Sequence, residues 1–390
     1  MPFAGLTLGK DGNFYGTTCR GGEYGNGTIF KMTPDGRITK LFSFNGTSGY
    51  FSDGELVQGK DENLYGMTTL GGNGYEPLHQ QGAGTIFRIK CDGSEFTNLY
   101  LFDGMSQPIG GLALGADGNF YGGTRWGGTG NDGFIFRISS DGVFTNLLSY
   151  DYRQFSHVLA GFVLGRDGDL YGTTSSGGKY DGGVLLRLET NGTFTILASF
   201  PLRTNCFSVA RNKLVEGIDG DFYGTTEFGG EYDNRKVGNE NVGNGTFFKV
   251  TTNGIVKTLA SFNGWNGAHP IGALVQTRDG NFYGTTLHDM ARVIVQPQFD
   301  MRPSIPDADY THGTIFKATT NGNITKLYSF TQSTYEYAMT NGSGPCGLLC
   351  DSQGTFYGTT SLGGEKAHMA GPASGTVFMF HVEPELPARK

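Results

Sequence analysis

The stretch DGNFYGTT at residues 11–18 constrains the fold more than any other, because a recognisable copy of it returns six more times along the 390-residue chain. The copies carry Tyr15, Tyr65, Tyr121, Tyr171, Tyr223, Tyr283 and Tyr357, so successive steps are 50, 56, 50, 52, 60 and 74 residues. A period near 50 with several strand-like pieces per unit is the mark of a propeller, and the 3.6-residue apolar spacing of a helical repeat is absent. Seven units make one ring. The expectation is an all-β chain, a seven-bladed β-propeller of four-stranded antiparallel blades, folded as one domain over residues 1–390. Its units run approximately 1–50, 51–107, 108–154, 155–205, 206–269, 270–344 and 345–390.

Within the first unit, AGLTLG reads as strand A, NFYGTT as strand B, GTIFKMT as strand C and ITKLFSF as strand D. Strands A and B meet at KDGN and strands C and D at PDGR, and the Asp-Gly pair supplies the positive φ of a tight hairpin. The same pairs do not make a calcium loop, which needs oxygen ligands at alternate positions and a closing glutamate. In the last unit strand C, GTVFMFHVE, is followed by EPELPARK where the Asp-Gly hairpin is expected. One outer strand should be missing or irregular there.

Glycine makes up 66 residues, about 17 % against a typical ~7 %. Aromatic residues at fixed repeat positions, 13 % of the chain, argue that this glycine serves packed strands and not low complexity. The net charge of -7 comes without a basic run, which argues against nucleic-acid partners. No apolar stretch approaches the ~18 residues of a membrane span, and MPFAGLTLG lacks the regions of a signal peptide. The expectation is a monomer without a membrane span, either cytosolic or beginning after a removed leader. Cys19, Cys91, Cys206, Cys346 and Cys350 show no metal-ligand spacing, and Cys346 and Cys350 sit too far apart along one strand for a disulfide. Free, mostly buried thiols are expected, with no metal and no cofactor.

The recurring DGNxYGTTxxGG, then GTxFKxxxxG, then a short strand ending SFNG, resembles the GloVer tandem-repeat family of bacterial surface proteins. The resemblance covers nearly the whole chain and implies a propeller-like repeat protein, often exported. The family carries no established catalytic residues to transfer.

Strand order places the A–B and C–D hairpins on one face, here called the bottom, and the B–C and D–A connections on the top. All the length variation falls on top. The B–C connection is EYGN in unit 1 but extends over 73–83, 231–244, 287–312 and 365–374 in others, and the D–A connection at 331–344 is long as well. A rigid scaffold presents a binding or active site through such loops. The 287–312 insertion, with His288, Tyr310 and His312, has no Gly and mixes apolar with charged residues, so it is expected to fold down on the top face.

Strand A should line the central channel. At one of its positions stand Gly5, Glu55, Gly111, Gly161, Lys213, Ala273 and Gly347, and two residues earlier unit 2 has Asp53 and unit 5 has Arg211. Charges in an otherwise small or apolar column are kept because they are paired or used. They either tie units 2 and 5 together, or form a ligand site in which Arg211 and Lys213 hold an anion while Asp53 or Glu55 acts as base and His157 or His269 as acid. Arg125 and Trp126 at the end of one strand B, Trp265 and several loop tyrosines suit stacking on sugar faces. On strand C, Lys31, Arg88, Arg137, Arg187, Lys249 and Lys317 recur at one position, either as a ring for an acidic polymer or as a solvated rim.

Two functions are carried forward. One is a non-catalytic propeller recognising a glycan or a protein through top-face loops, with Arg125, Trp126, Arg211, Lys213, His269, His288, Tyr310 and His312 as ligand contacts. The other is a lyase or hydrolase acting on an acidic polysaccharide, with Asp53, Glu55 and His157 as its catalytic set. No Ser-His-Asp order, zinc-protease motif, phosphate loop or nicotinamide fingerprint is present.

Overall fold

A computed structural model describes the chain except residues 77–81, 152–154, 157–160, 201–212, 233–235, 238–239, 242, 291–309, 312, 331–341, 364–374 and 383–390. Seven antiparallel sheets follow one another along it as the blades of one ring, and no helix is present among the described residues. In blade 1 the strands are A (Thr7–Leu8), B (Phe14–Thr18), C (Thr28–Met32) and D (Ile38–Ser43), paired in that order. Blades 2 to 6 repeat this meander. Blade 7 has three described strands, Ser343–Cys350, Thr355–Leu362 and Thr376–His381, as the missing hairpin signal predicts.

The repeat residues explain how the blades join. Neighbouring residues on a strand point to opposite faces, so the Phe-Tyr pair of strand B sends one ring to each adjoining blade. Tyr65 meets Phe120 at 4.0 Å between ring centres, Tyr171 meets Phe222 at 4.1 Å, Tyr223 meets Phe282 at 4.3 Å and Tyr283 meets Phe356 at 4.6 Å. Where the partner is Leu64 or Leu170, it packs in the same cluster as Tyr15 or Tyr121. The ring closes by the same contact, Tyr357 against Phe14 at 4.2 Å. Beneath the Tyr the following glycine admits a ring, from strand C in six blades, where a methyl on Gly122 would stand 2.5 Å from Phe136 Cζ, and from Phe162 in blade 4, 2.8 Å from a methyl on Gly172.

The tyrosine hydroxyl closes the A–B hairpin. It donates to the aspartate four residues earlier, at 2.7 Å for Tyr15 and Asp11 and 2.6 Å for Tyr171 and Asp167. The same carboxylate receives the main-chain N–H two residues on, as Asn13 does at 3.1 Å. At the other end of strand B a threonine hydroxyl ties down the B–C loop: Thr18 accepts the Thr28 N–H at 3.0 Å and donates to the Arg20 carbonyl at 2.9 Å. Every recurring polar residue in DGNFYGTT therefore has a bonding duty in the scaffold.

The insertion after strand B of blade 6 begins as a ribbon. Strand B runs on over Phe282–Met290 and pairs with Tyr310–Thr311, in the register Asp289 to Thr311 and Met290 to Tyr310. Residues 291–309, on which the expectation of a folded-down insertion chiefly rests, lie outside the described residues. Cys19 is buried, whereas Cys91, Cys346 and Cys350 are half-buried, and all four are free thiols. Cys206 is outside the described residues.

Candidate ligand-binding face

Strands A abut around the axis through glycine. A methyl on Gly54 would stand 2.8 Å from Gly111 Cα, and one on Gly347 would stand 3.3 Å from Gly5 Cα. Into this narrow channel two blades send charges that meet: Lys213 Nζ lies 3.2 Å from Glu55 Oε2, with both side chains about a quarter exposed. Glycines of other blades clear the path for this pair. A methyl on Gly5 would stand 2.5 Å from Glu55 Oε1, and one on Gly161 would stand 3.2 Å from Lys213 Cε. Among the described residues one ion pair, Lys213 with Glu55, joins blades 5 and 2 across the channel; Arg211 lies outside the described residues.

Asp53 is held apart from that pair. The Thr69 hydroxyl is 2.8 Å from its Oδ1 and 3.0 Å from the Pro108 carbonyl of the next blade. Burial pushes the Asp53 carboxyl up to about 6, against the opposing pull of the Thr69 bond. A protonated Asp53 can donate to Thr69 Oγ1 and leave the hydroxyl free to donate to Pro108, so the geometry suits the neutral acid.

Phe51, Gln107 and His269 occupy one repeat position, 14 residues before the repeat tyrosine, and all three have left-handed backbones (φ 59°, 49° and 55°). Such strain in non-glycine residues is held by surrounding bonds. The carbonyls of Phe51 and Gln107 receive the N–H groups of Thr69 and Arg125, at 2.9 and 3.0 Å. His269 is 3 % exposed, its Nδ1 is 3.1 Å from the Glu227 carbonyl, and its ring meets Phe228 at 5.0 Å and His288 at 5.5 Å. His269 and His288 are therefore brought together, as are Arg125 and Trp126, the guanidinium standing 5.5 Å from the indole. Tyr310 is placed only by its strand pairing. His157, Arg211 and His312 lie outside the described residues. Among the described residues no three His, Cys, Asp or Glu side chains are placed to hold a metal ion.

The outer rim of the top face carries a set of which the sequence pointed to Trp265 and Tyr232 as loop aromatics but not to Tyr24 or Tyr180, nor to the position the three tyrosines share. Tyr24, Tyr180 and Tyr232 each fall nine residues after the repeat tyrosine of their unit, in the B–C connection, and are 56 %, 48 % and 45 % exposed. Trp265, on a D–A turn closed by Gly264 and Gly267, is 52 % exposed. The fixed offset in GGxY was the available signal; varying loop length beyond it hid the equivalence.

The bottom face differs. Lys31 is 3.1 Å from Asp11, Lys249 is 2.8 Å from Asp219 and 2.6 Å from Asp221, and Arg187 is paired with Asp169. Arg88 and Arg137 donate to carbonyls of the next C–D hairpins, Ser140 or Thr190. The strand C cations form a rim engaged by the scaffold. Burial would raise the carboxyls of Asp11, Asp61 and Asp117, but hydrogen bonds from Tyr and Asn, with Lys31 at Asp11, outweigh it and hold all three below the usual range. A cavity of about 830 Å³ opens here beside Tyr283, Lys317, Phe356 and Val382. It lies where the described part of a complete blade sets its C–D hairpin, as Thr190 stands over the Tyr121 hydroxyl at 3.3 Å, beside residues 383–390, which are outside the described residues.

The sequence pattern of the Gloeobacter/Verrucomicrobia repeat matches residues 1–161 and 158–385. The chain belongs to that repeat family. No curated protein matches it in sequence. In fold, this Gloeobacter/Verrucomicrobia repeat protein resembles an oligogalacturonate lyase from Vibrio parahaemolyticus (TM-score 0.56, 11 % identity, 98 % of this chain and 90 % of the other). It also resembles a fungal alcohol oxidase of the AA5 family in complex with copper (0.53, 15 %, 94 % and 71 %) and a 6-phosphogluconolactonase-like protein from Bacteroides fragilis (0.51, 16 %, 83 % and 82 %). At these identities the likeness is one of fold, shared by proteins of unrelated chemistry.

Proposed function

We propose that this repeat protein is a non-catalytic binding propeller that recognises a glycan through the rim of its top face. The observation that carries the reading is the set of exposed tyrosines at one repeat position, Tyr24, Tyr180 and Tyr232, with Trp265 on the same face. Exposed planar rings offer apolar faces to sugar rings at low entropic cost, and their repetition around a ring suits a polymer with repeated units. The channel pair supports the same reading, because Lys213 is occupied by Glu55 and cannot hold an incoming anion without releasing it.

A second reading keeps one observation. Asp53, with its carboxyl raised to about 6 beside Thr69, has the character of a general base near neutral pH. On that reading the protein is a lyase or hydrolase of acidic polysaccharides; an oligogalacturonate lyase shares its fold.

A glycan array run with the wild type and with the Tyr24→Ala, Tyr180→Ala, Tyr232→Ala triple variant tests the proposal. Binding by the wild type that falls at least tenfold in the folded variant is the expected result. Depolymerisation of an acidic polysaccharide, abolished by Asp53→Asn and untouched by the triple variant, would replace the binding reading with the catalytic one.

A further inference from the structure

The three exposed rim tyrosines share more than an offset. In each of their units the residue before the tyrosine donates its main-chain N–H to a serine hydroxyl of strand D: Glu23 to Ser43 at 3.3 Å, Lys179 to Ser199 at 3.1 Å and Glu231 to Ser261 at 3.1 Å. The three serines hold one repeat position, immediately before a buried closing aromatic, Phe44, Phe200 or Phe262. Each pairs in register with the first residue of strand C, Thr28, Val184 or Thr246. The serine therefore belongs to the sheet, and the loop is fastened to it. The approach is close because the residue before the bonded N–H is glycine: a methyl on Gly22, Gly178 or Gly230 would stand 3.0, 2.8 or 3.0 Å from the serine Oγ.

Loop length does not disturb this contact. The B–C connection runs over 23–26 in unit 1 and over 231–244 in unit 5, yet Tyr24 and Tyr232 both stand one residue past the bond and both are exposed. Unit 2 is the contrast. Leu101 takes the place of the serine, opposite Thr85, and offers no side-chain acceptor. The loop tyrosine of that unit, Tyr75, falls ten residues after Tyr65 and is half-buried. It lies against blade 1, where its ring would clash with a methyl on Gly46 and Asn26 Nδ2 donates to its hydroxyl at 3.3 Å. Unit 3 keeps the serine, Ser149, but has Gly130 nine residues after its repeat tyrosine, so it has the anchor without the ring.

We propose that Ser43, Ser199 and Ser261 are positioning residues for glycan recognition: each fixes the main chain one residue before a rim tyrosine, so that the ring is presented from the sheet whatever the loop beyond it does. The inference rests on the glycan reading of the rim. Stacking on a sugar orders the loop that carries the ring, and a glycine-rich loop has much backbone freedom to lose. A bond already made in the free protein removes part of that cost before the sugar arrives. The residue whose N–H is held is charged in all three units, Glu23, Lys179 and Glu231, so the same bond sets a charged residue next to each ring. In unit 4 the Lys179 ammonium stands 5.0 Å from the Tyr180 ring.

Ser43→Ala, Ser199→Ala and Ser261→Ala are compared in the full chain with the wild type and with Ser43→Thr, Ser199→Thr and Ser261→Thr, which keep the hydroxyl. Hydrogen exchange read by mass spectrometry follows the bond without any ligand. Exchange over 20–27, 176–183 and 228–232 should quicken in the alanine variant of each unit and return to the wild-type rate with threonine. On the glycan array each alanine variant should bind the oligosaccharides that the wild type binds about fivefold more weakly, the worth of one neutral hydrogen bond. Threonine should restore the affinity, the melting temperature should stay within about 2 °C throughout, and Ser149→Ala should bind as the wild type does. Unchanged exchange in the alanine variants, or faster exchange with wild-type affinity, would overturn the positioning role and leave the glycan reading in place. So would an equal loss from Ser149→Ala, or a loss that follows the melting temperature and is not restored by threonine. If the wild type binds no arrayed glycan while the alanine variants still exchange faster, the glycan reading fails and takes the positioning role with it.

Discussion

Tyr171 and Tyr180 lie nine residues apart in one blade and meet opposite environments. Tyr171 is 3 % exposed, stacks on Phe222 of the next blade and donates its hydroxyl to Asp167. Tyr180 is 48 % exposed and has the Lys179 ammonium 5.0 Å from its ring. The two residues stand for the two faces. At the bottom, recurring polar groups satisfy one another, so the hairpins scarcely change from unit to unit. On top, the same strands end in connections whose length varies and whose rings face solvent. Uniformity marks where the chain binds itself, and variation marks where it is free to bind something else.

The comparison breaks most visibly at the blade junctions. Phe222→Ala should cost about 3–5 kcal/mol in urea unfolding, since it empties a buried site under Tyr171. Tyr180→Ala should stay within about 0.5 kcal/mol of the wild type. A comparable loss from both would show that the rim ring is structural.

The channel pair is a smaller, sharper case. Lys213→Met should cost roughly 1–3 kcal/mol by leaving Glu55 without its partner, and adding Glu55→Leu should restore most of that loss. Additive losses in the double-mutant cycle would mean that the two side chains do not act as a pair.

The smallest effect is in pH dependence, and its sign separates the faces. Asp11, Asp61, Asp117, Asp219 and Asp279 are held below the ordinary aspartate value of 3.8. Their contribution to stability is present above that value and is lost as pH falls below it. Asp53 runs the other way: raised to about 6, its contribution is complete below 3.8 and is lost as pH rises through 6. Asp53→Asn should therefore raise the melting temperature at pH 8 by about 2 °C and leave it nearly unchanged at pH 4. An equal shift at both pH values would remove the special environment assigned to Asp53.

The blade count, the hairpins and the shortened last blade were legible because Asp-Gly, Phe-Tyr-Gly and the closing Phe recur at fixed offsets tied to backbone geometry. The bonding of Tyr to Asp was implicit in the same offsets, four residues apart across one hairpin. Pairing between Glu55 and Lys213 was legible only as one of two options, since which charges meet depends on how seven blades close around an axis. Of the rim tyrosines, Tyr232 was legible as a loop aromatic, whereas its equivalence to Tyr24 and Tyr180, nine residues after the repeat tyrosine in three units, was hidden by the variation in loop length beyond it. For His157, Arg211 and His312 the described structure offers no geometry to compare with the sequence.

The most direct measurement sets Tyr171→Phe beside Tyr180→Ala, recording the melting temperature and the affinity for the best array glycan in each. Loss of the Asp167 bond in Tyr171→Phe should lower stability by about 1 kcal/mol with affinity unchanged. Tyr180→Ala should weaken binding with the melting temperature unchanged. If Tyr171→Phe weakens glycan binding without destabilising the protein, or Tyr180→Ala destabilises it without affecting binding, the division between a self-bonded bottom face and a recognising top face is wrong.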